Sequence, residues 1–305
     1  MEGRLNYTVT GFSTQNTTLT QVQKPVNLAR DLSAANRKGM HMTTAKGVPL
    51  VYHCRATIIR DVLTDRLNST TAAVFATAQD NYVTRNASVQ LHAAREAMFK
   101  NAGIKKSDRG RYDKTIRYAW DSDSNTYLAP TWTDGNSVHT DMGEWDETKI
   151  AIDDDVSLVP TLFGPVMDET AAVSGATFNL TNAYLNSRRK LDEDDLDAGD
   201  GAADHSIVRS MFNVEDATDD ELQVIADDNQ DKPPYDQDSA AGSFTSQATS
   251  AIAVCGNLAN VKDVIEFDAP FGLAELTVVK RSDASGSLGA GVSVYIEVLG
   301  ISEMQ

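Results

Sequence analysis

Residue types able to do chemistry are scattered along this chain. The five histidines, His41, His53, His92, His139 and His205, include no pair four residues apart, so no two share a helix face as zinc ligands do. H-E-x-x-H, G-x-S-x-G, Walker A and strand-following G-x-G-x-x-G patterns are absent. Cys54 and Cys255 lie in apolar stretches (LVYHCRATII and AIAVCGNL) with no second thiol or imidazole at ligand spacing. Both therefore read as small buried hydrophobes. Asp121, Asp123 and Asn125 occupy positions 1, 3 and 5 of a calcium-type loop, but Thr126 replaces its glycine and Trp132 its bidentate glutamate. An ordinary polar turn is expected there. Glu144 and Glu147 form a carboxylate pair of the kind glycosidases use, at a spacing too common to single them out. The expectation is a non-enzymatic chain with no cofactor. A divalent cation gathered by the acids of 192–204 is the alternative to a plain solvated loop.

Charge is more informative. Residues 192–238 hold seventeen acids against Arg209 and Lys232, which places −15 of the chain's net −17 in one segment. The rest of the chain is near neutral, so the acidity describes an inserted, solvated element and not the whole surface. A second anomaly has the opposite sign. Arg95, Lys100, Lys105, Lys106, Arg109, Arg111, Lys114 and Arg117 face only Glu96, Asp108 and Asp113, a net of +5. Such a run can hold phosphates, with salt-dependent affinity, or an acidic surface of another copy. Lys105, Lys106, Arg109, Arg111, Lys114 and Arg117 are the candidate subunit or phosphate contacts.

Elements must position these groups. Alternating hydrophobicity predicts strands over 48–61 and 70–78, then short strands at KTIRYAW, TYLAP, KIAI, VSLVPTLF and ATFNLTNAYL, separated by Asp-, Asn- and Gly-rich turns. In the first, Leu50, Tyr52, Cys54, Ala56 and Ile58 share one face. Four more strands are predicted at 251–254, 264–267, 273–280 and 291–299, the last two joined as a hairpin by the Gly/Ser/Ala loop 282–291. Helices are predicted over 27–38 and over 86–102, the latter capped by Asn86 and stopped by Gly103. Within the acidic segment, a strand is expected at 207–212 and a helix opening on the capping box Thr218-Asp219-Asp220-Glu221. No run of eighteen apolar residues exists, so no membrane-spanning helix is expected. The first residues lack an apolar signal core, so no secretion is expected and the sequons at Asn6, Asn16, Asn68, Asn86 and Asn179 should be unused.

Roughly a dozen strands with few helices between them define an all-β antiparallel sandwich with short helical insertions. Its expected organisation is an N-terminal arm with a short helix at 1–47 and a β body at 48–305. That body carries a basic helix–loop insertion at 86–113 and the acidic insertion at 192–238. The Thr/Asn-rich start and the closing EFDAPFGLAELTVVKR and VSVYIEVLGI strands resemble those of jelly-roll major capsid proteins of small icosahedral viruses and phages. The resemblance implies a jelly roll, single or double, that self-assembles in many copies inside a host cell into the shell of a virion. It also implies other virion proteins as partners, with genome contact through 95–117. One departure stands out: residues 1–23 hold Arg4 as their sole base, where many such coat proteins carry a basic arm. This implies a genome lying behind a membrane or neutralised by other proteins. The rival expectation is a surface-displayed binding module, lectin- or fibre-like, with Trp120, Trp132 and Trp145 available to stack on sugars.

Overall fold

Alternation decides which way each strand faces. In β3 (Leu50–Arg60), Tyr52, Cys54, Ala56 and Ile58 are buried while Arg55 between them is exposed. In β11 (Val292–Glu303), Val292, Val294 and Ile296 are buried in the same rhythm. The computed structural model describes residues 3–10, 12, 19–60, 69–121, 127–130, 145–153, 156–164, 176–188, 247–256, 262–282 and 291–305. Two four-stranded sheets pack face to face. One, sheet A, runs β1 (Arg4–Val9), β11, β3 and β9 (Lys262–Pro270). The other, sheet B, runs β2 (Leu19–Asn27), β10 (Leu273–Ser282), β4 (Ser69–Ala78) and β8 (Gln247–Gly256). Every neighbouring pair within them is antiparallel. The inner faces meet through Leu276, Val278, Val294 and Ile296 and through a stacked pair, Phe75 of β4 and Phe267 of β9, with ring centroids 4.4 Å apart.

Among these eight strands, each chain connection crosses from one sheet to the other, except that β4 and β8 are neighbours in sheet B. Residues 79–246 lie between them. This excursion contains α2 (Tyr82–Asn101), a 3-10 turn (Arg111–Lys114), a small sheet of β5 (Ile150–Asp153), β6 (Val156–Thr161) and β7 (Ala176–Asn179), and α3 (Leu180–Arg188). Its aromatic residues cover one end of sheet B's outer face. Trp120 donates from Nε1 to Glu275 Oε2 at 3.1 Å and packs on Phe163 at 4.3 Å.

Several expectations are corrected. Residues 1–47 are not an arm outside the body: β1 and β2 are strands of the two sheets, because Leu5, Tyr7, Val9 and Val26 are apolar enough to be buried. Only α1 (Leu28–Asn36), capped by the Asn27 side chain, lies between β2 and β3. The basic helix–loop is one part of the single excursion 79–246 and not a separate insertion. Asn81, not Asn86, caps α2, accepting the Thr84 N–H at 2.9 Å. β10 and β11 do not form a hairpin: each has both edges filled within its own sheet. KTIRYAW and the described part of TYLAP form only isolated bridges, Ala119 with Thr161 and Pro130 with Tyr7. ATFNLTNAYL is half strand and half helix, since Asn179 caps α3 through the Asn182 N–H at 3.0 Å. The segment 192–238, with its expected strand and helix, lies outside the described residues, as do Asp123, Asn125, Trp132 and Glu144.

The N-terminal strand is tied down by a buried polar cluster. Tyr7 donates to Asp31 Oδ2 at 2.7 Å, and Arg30 Nε donates to Asp31 Oδ1 at 3.0 Å. Burial lifts the Asp31 carboxyl to about 6, against the opposing pull of Arg30 and of the Tyr7 hydrogen bond. Phe12 lies over the buried amine of Lys280 at 4.6 Å, which links the N-terminal segment to β10 as well.

Two expected outcomes follow from the packing and the buried acid. Ile296→Ala, at a site with no exposure, should cost about 2–5 kcal/mol in urea unfolding. Ile252→Ala, 59% exposed, should stay within about 0.5 kcal/mol; equal costs would contradict the facing of the strands. Because Asp31 binds its proton more tightly in the folded chain, stability should fall as pH rises from about 4 to about 6. Asp31→Asn should flatten that decline, and urea midpoints that run parallel to the parent's would show that another group titrates.

Candidate subunit-contact surface

Helix α2 carries the basic run. Val83, Ala87, Leu91 and Ala94 form its buried stripe, and Ser88 within that stripe donates to Gly47 O at 2.7 Å and meets the Tyr118 hydroxyl at 2.8 Å. The helix ends in a Schellman motif. Gly103, at φ 72°, donates to Lys100 O at 3.0 Å, and Ile104 donates to Phe99 O at 2.9 Å. Only glycine adopts that backbone without strain, so Gly103 sets where Ile104 and the following lysines point.

Seven of the eight bases of 95–117 divide into two kinds. Arg95 is buried and donates to the Asp113 carbonyl at 2.9 Å and to its carboxylate. Arg109 forks onto Glu96, and both guanidiniums stack over Phe99, at 4.9 Å for Arg95 and 4.2 Å for Arg109. The Arg109 hydrogen bond is the main cause holding Glu96 below its usual carboxylate value. Arg117 lies over Trp145 at 4.6 Å and donates to Asp146 O at 3.2 Å. Arg109 and Arg117 therefore act inside the fold. Lys100, Lys105, Lys106 and Lys114 are exposed; Lys106 Nζ lies 3.8 Å from Glu96. The Arg111 side chain lies outside the described residues. Of the tryptophans, Trp120 is buried and Trp145 has one face under Arg117, which removes those surfaces from sugar stacking.

The outer face of sheet A presents polar ladders. Arg4, Glu297, Arg55 and Glu266 lie in register across β1, β11, β3 and β9, with Arg4–Glu297 at 3.0 Å and Arg55–Glu266 at 2.7 Å. One rung further on, His53 Nδ1 lies 2.6 Å from Asp268 Oδ1 and its Nε2 lies 2.8 Å from Ser302 Oγ. These atom pairings are those of a Ser-His-Asp set. The His53 and Asp268 side chains are 43% and 59% exposed, however, so water screens the pair and solvates whatever forms beside it. The arrangement is a clasp joining β9, β3 and β11. Sequence reasoning missed it because only the strand register unites residues 215 and 249 positions apart.

Among the described residues, no three metal-ligating side chains cluster, and both cysteines are buried and free. No helix among them is long and apolar enough to cross a membrane. Among the described residues, the large apolar side chains left exposed fall in three places: Met98 and Ile104 at the end of α2, Ile252, Val254 and Val264 on β8 and β9, and Leu299 and Ile301 on β11. Comparison with protein-family models, with curated proteins and with solved structures finds no match to this chain.

The clasp geometry generates a direct test. An active-site-directed fluorophosphonate should leave Ser302 unlabelled, because acyl-transfer chemistry needs donors preorganised in a water-excluded site. Labelling of Ser302 that His53→Ala abolishes would make the triad a nucleophilic centre.

Proposed function

We propose that this chain is a structural shell protein, a viral coat protein that self-assembles into a closed icosahedral capsid around a genome. The observation that carries the reading is the strand order. Numbered in chain order without the excursion, the eight strands run 1-8-3-6 in one sheet and 2-7-4-5 in the other. That order supports a single jelly roll, an architecture used by viral capsid and lectin domains. The argument is a fold-level analogy, and the surface supplies the rest of its support. Exposed apolar groups sit at separate places on the sandwich, as a tile that meets several neighbours requires. Three lysines, Lys105, Lys106 and Lys114, project where they can meet an acidic neighbour or phosphate.

Purified protein should associate into large particles, with a distribution that shifts with salt and pH in sedimentation velocity. Salt acts because interfacial charges are screened over about 8 Å at physiological ionic strength. A chain that sediments as a monomer under every such condition removes the proposal.

A further inference from the structure

Two of the exposed apolar groups are set in opposite electrostatic surroundings. At the end of α2, Met98 and Ile104 are 37% and 41% exposed, and Lys100, Lys105 and Lys106 stand around them. Of the three acids in this run, Glu96 and Asp113 are engaged by Arg109 and Arg95, and Asp108 is exposed, accepting from Ser107. On the other side, β8 and β9 are the last strands of their sheets and lie alongside each other. Ile252 and Val254 project from the outer face of sheet B beside this edge, 59% and 46% exposed, and Val264 from the outer face of sheet A, 45% exposed. Asp263, Glu266 and Asp268 lie on β9, against Lys262, the Arg55 that pairs with Glu266 and the His53 that pairs with Asp268. Asp80 adds a further acid, its pKa raised by burial and by the nearby Asp268.

This edge is built for side-chain docking and not for strand addition. The Asp263 carboxylate accepts the Val254 N–H at 3.1 Å and the Val264 N–H at 2.9 Å, joining the two edge strands and occupying donors that an added strand would need. The α2 tip is equally well defined, since the Schellman motif and the Arg109–Glu96 fork hold the loop that carries Ile104 and the lysines.

We propose that the α2 tip of one copy docks across the β8–β9 edge of another, with Met98 and Ile104 spanning it between Ile252 and Val254 on one side and Val264 on the other, and the lysines facing the acids of β9. The proposal rests on the assembly reading above and names the contact. Tip and edge are different surfaces of the same chain, so the contact is head-to-tail, and the assembly reading requires that its rotation close. Apolar burial supplies affinity, and the charges set orientation and the salt response.

The test uses full-length chains mutated at exposed positions, with unchanged far-UV circular dichroism required of each. Ile104→Asp disables the tip, and Ile252→Asp with Val264→Asp disables the edge. Each variant alone should associate at least about tenfold more weakly than the parent. An equimolar mixture should form a species of twice the 33.0 kDa chain mass, since one intact tip then meets one intact edge. Single variants that assemble as the parent does, or a mixture that stays at monomer mass, overturn the contact while leaving assembly standing. A parent that never associates overturns the assembly reading and the contact with it. Normal assembly of Ile104→Asp, with loss of single-stranded DNA binding in Lys105→Glu/Lys106→Glu, assigns the tip to nucleic acid and also overturns the contact.

Discussion

The four N-terminal strands of the sandwich have no partners among themselves. β1 and β3 are joined only through β11, and β2 and β4 only through β10. The last two strands of the chain therefore sit inside the two sheets and hold the first four in place, and the rest of the structure depends on that pairing. It is long-range throughout: Arg4 faces Glu297 and Asn27 faces Leu273. Loop-closure entropy must be met before such contacts form, so the inner faces can pack only when both ends of the chain have met. The Tyr7–Asp31 bond and the Phe12–Lys280 stack add to the same closure, tying β1 to α1 and the N-terminus to β10.

The same topology explains how so long an excursion is accommodated. Residues 79–246 leave from β4 and return to β8, its immediate neighbour, so the sandwich needs only that the two ends of the segment meet. Closure cost grows slowly with length, about 0.6 kcal/mol for each doubling. The excursion is not a bystander, because Trp120 donates to one oxygen of the buried Glu275 carboxylate while Gln23 of β2 donates to the other.

What was legible in the sequence was local. The alternation of Tyr52, Cys54, Ala56 and Ile58 named the buried face of β3, and apolar spacing, with Gly103 as the stop of α2, located α1 and α2 to within a few residues, although Asn86 was the wrong cap. Pairing was not legible. A Gly/Ser/Ala loop between two good strands signals a hairpin, yet those strands part to opposite sheets because other strands fill their edges. Thr- and Asn-rich residues at the start looked like an arm, though four inward hydrophobics were enough to place them in the sheets. At the candidate surface, counting charges located the basic run. It could not distinguish Arg109 and Arg117, held by Glu96 and Trp145, from the lysines that remain in solvent. The His53 clasp was invisible for the same reason as the pairing, since it exists only through register.

The described residues form a two-sheet sandwich. One outer face carries polar ladders, the other is partly covered by the excursion, and the edge and the α2 tip remain available. On the proposed reading, the sandwich is the tile and its complementary surfaces close the assembly. Electron cryomicroscopy of the purified full-length protein tests this most directly. The account predicts closed particles of uniform diameter whose walls are tiled by the sandwich. A field of dispersed single chains, or open aggregates of irregular size, would contradict it.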